Sequence, residues 1–352
     1  MHMADALISP AVGGAMWAAS AGLIAYSSKK VKEEADDKKI PLMGVLGAFI
    51  FAAQMINFTI PATGSSGHMG GGMILSILLG PYAAFLVMAS VLIVQALFFA
   101  DGGLLALGCN IFNMGFFTCF IAYPLIYKKI VGGHTTKGRI MLGATLAGII
   151  GLQLGAFGVV LETISSGISE LPFGTFVMLM QPIHLGIGIV EGLVTSAVIL
   201  FVYNARPEIV DAARQGIPVG KINTGKVILS LILAAAVVGG ALSWFASANP
   251  DGLEWAMLRT SGKEELESSH KIHASLAAVQ EKTAFLPDYG FKQSEPAAAP
   301  EAEAKQEAET SQPWPAVDTG TSISGLVGGL LTLMLALIAG FLLKRRKTAV
   351  QQ

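Results

Sequence analysis

Charge is scarce in this chain. Of its 352 residues only 13% are Asp, Glu, Lys or Arg, against 53% hydrophobic, and its mean hydropathy is +0.62. A soluble protein of this length needs far more charge to cover its surface, so the composition points to a polytopic membrane protein. A net charge of -1 excludes an ordinary nucleic-acid binder. The two cysteines, Cys109 and Cys119, lie in one apolar segment. They form no CxxC pair, so neither a thiolate metal site nor a disulfide framework is indicated. No GxxxxGK[ST] phosphate loop occurs, and the chain carries no ATP site of its own. No HxxH or HExxH constellation supports a membrane metalloenzyme. The N-terminus lacks a basic n-region and Asp5 precedes the apolar run, so no cleavable signal is expected. No long internal repeat is visible, which withholds support from an inverted-repeat secondary transporter.

Glycine and long apolar runs are abundant instead. The 41 glycines suit membrane helices, whose backbones they let approach closely. Apolar stretches run at about 6–27, 41–60, 69–79, 82–100, 104–127, 140–161, 174–203, 226–246 and 322–343. Four basic clusters mark a cytoplasmic side. They are Lys29, Lys30 and Lys32 with Lys38 and Lys39; Lys128 and Lys129 with Lys137 and Arg139; Arg206, Arg214 and Lys221; and Lys344 to Lys347. Placing all four inside puts Met1 outside. Parity then requires three crossings between residue 61 and Lys128. The first, 69–79, reaches only about 17 Å, so it must be sunk in protein or start at the bottom of an outward cavity. The count is seven spans before residue 204 and two after. Region 247–320 falls outside. Its first part, to about Gly290, is polar with mixed charge and able to fold or extend over the membrane domain. Residues 293–318, rich in Ala, Glu, Gln and Pro, read as a flexible linker.

The residues with the most distinctive chemistry are the first two, Met1 and His2. A free amine, the deprotonated His2 backbone nitrogen and a His2 ring nitrogen close a five-membered and a six-membered chelate ring on one metal ion. That planar nitrogen set suits Ni(II) or Cu(II) and admits Co(II). Removal of Met1 by aminopeptidase is not expected before so bulky a second residue. His68 lies on the same side, in the loop NFTIPATGSSGHMGGGM, whose glycines allow a tight fold into the bundle. Its imidazole would fill the fourth equatorial position; the bland alternative is a stray histidine in a flexible loop. Asn57 and Ser66 are the loop candidates for supporting that centre, Asn57 by orienting one of the two rings.

His184 and Glu191, seven residues apart in QPIHLGIGIVEG, share one helix face. Buried polar groups in a membrane either pair or face a cavity, and an interhelical structural role weighs equally with a place on a transport path. Gln54, Gln95, Asn110, Asn113, Gln153 and Gln181 read as interhelical hydrogen bonds, and Glu162 as a side chain that snorkels near a helix end. His134 reads as solvated; His270 and His273 read as outer-loop residues with at most a weak metal-gathering role. Small residues recur every four positions at Ala11, Ala15 and Ala19 and at Gly143, Ala147, Gly151 and Gly155. The second stripe reads as internal packing; the first is able to face another subunit.

Four stretches, MHMADALISPAVGG, NFTIPATGSSGHMGGGM, VQALFFADGGLLALGCNIFNMG and PIHLGIGIVEGLVT, together resemble the CbiM/NikM family. These are the substrate-binding membrane components of energy-coupling-factor transporters for cobalt and nickel. The resemblance covers roughly residues 1–205 and implies seven transmembrane helices with the N-terminus outside. It also implies a metal held by the amine of Met1, the backbone and ring nitrogens of His2 and the ring of His68. Asn249-Pro250-Asp251-Gly252-Leu253-Glu254 resembles the PDGLE signature of the accessory CbiN/NikN component, as in a fusion of the two subunits. No ligands are assigned to the loop after Glu254. The fold expected is an all-α membrane protein. A seven-helix bundle (1–205) is joined by a cytoplasmic linker (206–223) to a two-helix region (224–352) with a partly disordered extracytoplasmic loop. The function implied is uptake of Ni2+ or Co2+ as substrate across a prokaryotic cytoplasmic membrane. The partners implied are a CbiQ/NikQ-like transmembrane subunit, CbiO/NikO-like ATPases and the lipid bilayer. A self-sufficient secondary transporter or channel, and a membrane metal sensor, are the alternatives.

Overall fold

Proline, glycine and charge set where each apolar run begins and ends as a helix. The computed structural model describes residues 2–34, 36–133, 135–169, 171–218, 223–263, 266, 270–292 and 314–344. In chain order these form α1 (Pro10–Glu34), α2 (Lys39–Gln54), β1 (Phe58–Ile60), β2 (Ser65–Gly67), α3 (Gly72–Leu79), α4 (Pro81–Phe98) and α5 (Leu107–Val131). There follow α6 (Lys137–Ser166), α7 (Phe173–Ala205), α8 (Pro207–Gln215), α9 (Gly225–Gly240), α10 (Gly252–Ser261), α11 (Lys271–Thr283) and α12 (Thr319–Leu343). Met1, His134, Lys221, Arg345, Arg346, Lys347 and the run 293–313 lie outside the described residues. Pro10, Pro81 and Pro207 occupy first helical positions, where a missing N–H costs nothing. Thr136 and Asp318 cap α6 and α12, accepting from the N–H groups of Arg139 and Thr321. Within α5 the bonding widens to i→i+5 over Phe112–Tyr127, a stretch that contains Pro124.

Among the described residues five helices, α4, α5, α6, α7 and α12, are long and apolar enough to cross a membrane. The apolar helices α2 and α9 have 16 residues each, about 24 Å. All eight residues of α3 are buried, so its backbone ends face protein and not lipid. The loop before α3 is not purely irregular: β1 and β2 pair antiparallel, Phe58 opposite Gly67 and Ile60 opposite Ser65. This departs from an all-α chain. The run expected at 226–246 is α-helical only to Gly240; it tightens to a 3-10 turn at Leu242–Phe245, where the Ser243 hydroxyl donates to the Gly239 carbonyl at 2.9 Å. Gly239 packs backbone to backbone on Gly325 of α12; a Cβ at Gly325 would stand 2.2 Å from the Gly239 oxygen. The stripe Gly143, Ala147, Gly151 and Gly155 is buried, with Gly151 facing Thr118 and Ala122 of α5. Ala11, Ala15 and Ala19 are exposed.

The helix ends sort into two poles. At one, Lys344 pairs with Asp37 at 3.0 Å and Lys39 with Glu34 at 2.7 Å. There too Arg214 donates to the Gly132 carbonyl at 2.8 Å, and the Tyr26 and Tyr82 rings meet at 5.7 Å. The starts of α2 and α4 and the ends of α1, α5, α8 and α12 therefore gather with their basic residues. At the other pole lie the N-terminal segment, the β1–β2 hairpin, the turn after α4, and a cap made of α10, α11 and residues 284–290.

Candidate metal centre

Residues 2–8 are too short to form a core, so their backbone must be satisfied by neighbours. Met3 donates to the Asn110 side chain at 2.8 Å and accepts from it at 3.2 Å, while the Gly103 N–H reaches the Met3 carbonyl at 2.9 Å. Asp5 accepts from Ala106 N–H at 2.9 Å. Glycine is required at 103, where a Cβ would lie 1.9 Å from the Asp5 carboxylate oxygen. Gly102 turns the chain with φ at +82° and lies against His2. The result sinks His2 into the pole with its Nδ1 3.2 Å from an Asp101 oxygen. Its Nε2 is buried and has no hydrogen-bond partner among the described residues.

The second imidazole arrives on the loop before α3. Glu191 of α7 reaches across and accepts from the Gly70 N–H at 2.7 Å and the Gly71 N–H at 3.0 Å, one with each oxygen. Gln54 donates to the Gly70 carbonyl and accepts from Gln95, both at 2.8 Å. Gly71, with φ at +76°, passes Ile50 so closely that a Cβ would lie 2.7 Å from it. These constraints fix His68, whose Nδ1 stands 3.0 Å from the Met69 carbonyl. The His2 and His68 rings lie with centroids 5.0 Å apart and planes within 12°. Burial lowers the pKa of His2 below 6.5, although the Asp101 carboxylate opposes it. Burial also holds His68 well below 6.5. Both rings are therefore neutral and able to offer a lone pair at ordinary pH.

The cap closes over this pair. Ser66 donates from N–H to the Pro250 carbonyl and from its hydroxyl to Asn249, both at 2.8 Å, and Trp255 donates to the Thr63 carbonyl at 3.0 Å. Asp251 caps α10 in a reciprocal box with Glu254. Burial and the Asp251 charge raise Glu254 to about 7. His273 of α11 donates from Nε2 to the Ile8 carbonyl at 2.9 Å. Asp288 and Tyr289 adopt φ of 49° and 59°, sparsely populated conformations that persist only where surroundings hold them. They place the Tyr289 hydroxyl on Asp101 and within 3.3 Å of Gln95. Beneath the cap lies a cavity of about 1120 Å³, lined by His2, His68, Asp101, Asp251 and Glu254 among others.

Several sequence-selected residues take up different work. Ser66 anchors the cap. Asn57 gives its carbonyl to the Ser247 N–H at 2.7 Å, and no hydrogen bond joins it to either imidazole among the described residues. Asp101 stands beside His2 instead. His184 and Glu191 are both buried; Glu191 grips the loop, and His184 hydrogen bonds within its own helix. Glu162 does not snorkel: it is buried and accepts from Asn113 at 2.6 Å, because α5 supplies a partner at its depth. Asp101, Asn110, Asp251 and His273 were missed as neighbours of the centre. The Asp-Gly-Gly turn was the available signal for the first. Among the described residues no three His, Cys, Asp or Glu groups converge as a metal site.

Fold and site together define a multi-helix membrane protein that buries a pair of neutral imidazoles under a folded cap. The chain belongs to the CbiM family, described as the cobalt uptake substrate-specific transmembrane region, which matches residues 2–209. Residues 225–345 match the PDGLE domain. The chain is 31% identical to the putative fused nickel transport protein NikMN of Archaeoglobus fulgidus over 98% of both chains. It is 29% identical to the fused nickel transport protein NikMN of Rhodobacter capsulatus over 61% of this chain and 65% of that one. A solved structure, a truncated transition metal transporter, superposes with a TM-score of 0.52 at 30% identity, covering 58% of this chain and 99% of that one.

Proposed function

We propose that this chain is the substrate-capture component of an energy-coupling-factor transporter that takes up Ni2+ or Co2+. It is a transport component and not an enzyme. The ion is held in a nitrogen plane by the Met1 amine, the His2 backbone nitrogen, His2 Nδ1 and the His68 ring. The observation that carries this reading is the pair of buried, near-parallel imidazoles 5.0 Å apart. The six-membered chelate ring can only be closed by Nδ1, the atom now beside Asp101. Loading therefore exchanges that contact for the metal and releases protons from the amine and amide. Relatives named as nickel and cobalt transport proteins support the substrate class.

The basic pole lies on the cytoplasmic side and the capped pole outside, with seven crossings in residues 1–205, a linker at 206–223 and two crossings in 224–352. The gathering of the basic helix ends supports this orientation in a prokaryotic inner membrane. A CbiQ/NikQ-like transmembrane subunit and CbiO/NikO-like ATPases supply the energy. The exposed stripe Ala11, Ala15 and Ala19 offers a close-packing face to such a subunit. Calorimetric titration of Ni2+ tests the centre. An alanine added before Met1, and His68→Ala, should each weaken binding severely while the protein remains folded. Unchanged affinity in both variants would falsify the assignment.

A further inference from the structure

His184 sits eleven residues into α7, about 17 Å along its axis. Its Nδ1 lies 2.8 Å from the Met180 carbonyl one turn back. A carbonyl only accepts, so Nδ1 carries the hydrogen and Nε2 of the neutral ring is a bare lone pair. That Nε2 has no hydrogen-bond partner among the described residues, and the side chain is 1% exposed. A buried polar atom left unpaired is destabilising, and packing alone does not require it.

The ring lines a cavity of about 10 Å³, room for one water-sized species. His68, Asp251 and Met114 line the same cavity. Gly252 of the cap leaves the space beside His184 open, where a Cβ would stand 3.0 Å from Cε1. His184, Asp251 and Met114 thus border one small space beside His68 of the capture site.

We propose that His184 Nε2 is a second ligand station for the transported divalent ion, which it takes over from His68 on the inward route. This rests on the reading of His2 and His68 as the capture site. The transfer is a ligand exchange: a bond from the ion to His184 Nε2 forms as the bond to His68 breaks. Both rings are neutral, so the exchange itself moves no proton and no electron. The His2 amide and the Met1 amine regain their protons from water as the ion leaves. A tight planar chelate releases its ion slowly unless another donor waits within reach, and His184 is that donor.

The test uses the full chain in detergent with Co(II) chloride as the probe. In His184→Cys, a second equivalent of Co(II) should produce a near-ultraviolet thiolate-to-cobalt charge-transfer band. The wild type, with only the buried Cys109 and Cys119, should show none. His184→Gln should leave first-equivalent affinity at the wild-type value and lower uptake by the complete transporter about tenfold, a barrier increase of about 1.4 kcal/mol. A folded His184→Cys variant without the band, or wild-type uptake in His184→Gln, overturns the station and leaves water as the occupant of the cavity. Should His184→Cys not fold, X-ray absorption of wild type and His184→Gln at the second equivalent decides: no loss of imidazole scattering overturns the proposal. His68→Ala separates the two readings. Loss of first-equivalent binding there, with no band in His184→Cys, removes the station alone. First-equivalent binding indifferent to His68 removes the capture site, and with it the transfer from His68.

Discussion

Replacing Glu191 with glutamine removes half of the clamp that holds the His68 loop. Both carboxylate oxygens accept backbone N–H bonds, at 2.7 and 3.0 Å, from consecutive glycines just before α3. Glutamine keeps one acceptor and turns an NH2 group toward the other N–H. The loss is one hydrogen bond to a charged group, about 1.5–3 kcal/mol, together with an unpaired buried N–H at about 1–3 kcal/mol. The two overlap, so about 3 kcal/mol is the reasonable total. Glu191 touches no ligand atom, and its effect on binding passes through the fraction of molecules whose loop is correctly placed. At about 1.4 kcal/mol per decade, the dissociation constant for Ni2+ should rise about 100-fold. Gln54→Ala, which removes a neutral bond to the same Gly70, should cost about 1 kcal/mol and raise it only about fivefold. Titration calorimetry on the detergent-solubilised chain reads both values, with melting temperature and size-exclusion profile as controls for folding. A folded Glu191→Gln protein that binds Ni2+ within about twofold of wild type refutes the clamp as the device that positions His68.

Gly103→Ala should dislodge the N-terminal segment, since its Cβ would meet Asp5 at 1.9 Å; metal affinity should fall at least about tenfold while stability drops by about 1–3 kcal/mol. Equal affinity would show that Asp5 and its neighbours do not place His2. The metal-free protein should lose stability as pH falls below 6.5. Burial lowers the folded pKa of His2 and His68 from that value, so the unfolded chain binds more protons below it, while the full contribution is present above it. Melting temperatures of wild type and His68→Ala across that range check the sign, and an equal slope in both removes His68 from the account. Trp255→Ala should loosen the cap from the hairpin by removing the bond to the Thr63 carbonyl. Faster amide exchange at residues 63–68 than in wild type is the expected readout, and unchanged exchange means that the Trp255 bond does not hold the cap to the hairpin.

Much of the membrane architecture was legible because lipid imposes a strong pattern. Runs such as 82–100 and 174–203 are too long and too apolar to be anything but helices, and α4 and α7 end within three residues of them. The short segment 69–79 announced its own burial, because a helix of that length cannot satisfy its ends in hydrocarbon. The hairpin was not legible: β1 and β2 have three residues each, and the bonds from Ser66 to Asn249 and Pro250 cross more than 180 positions. Glu162 was misjudged because sequence gives depth along a helix but not the neighbour at that depth.

The chain's order of residues by itself determined its membrane class, its helical runs, the basic pole, and the pairing of an N-terminal histidine with a glycine-bordered one as candidate donors. The first three follow from local composition, which water and lipid read one segment at a time; the last follows from the chelate chemistry of a second-position histidine and from the family resemblance. Only the tertiary structure decided that Glu191 grips the His68 loop, that Asp101 rather than Asn57 stands beside His2, and that the cap docks through Ser66 and His273. Those contacts join residues far apart in the chain, and their geometry exists only once the helices have packed.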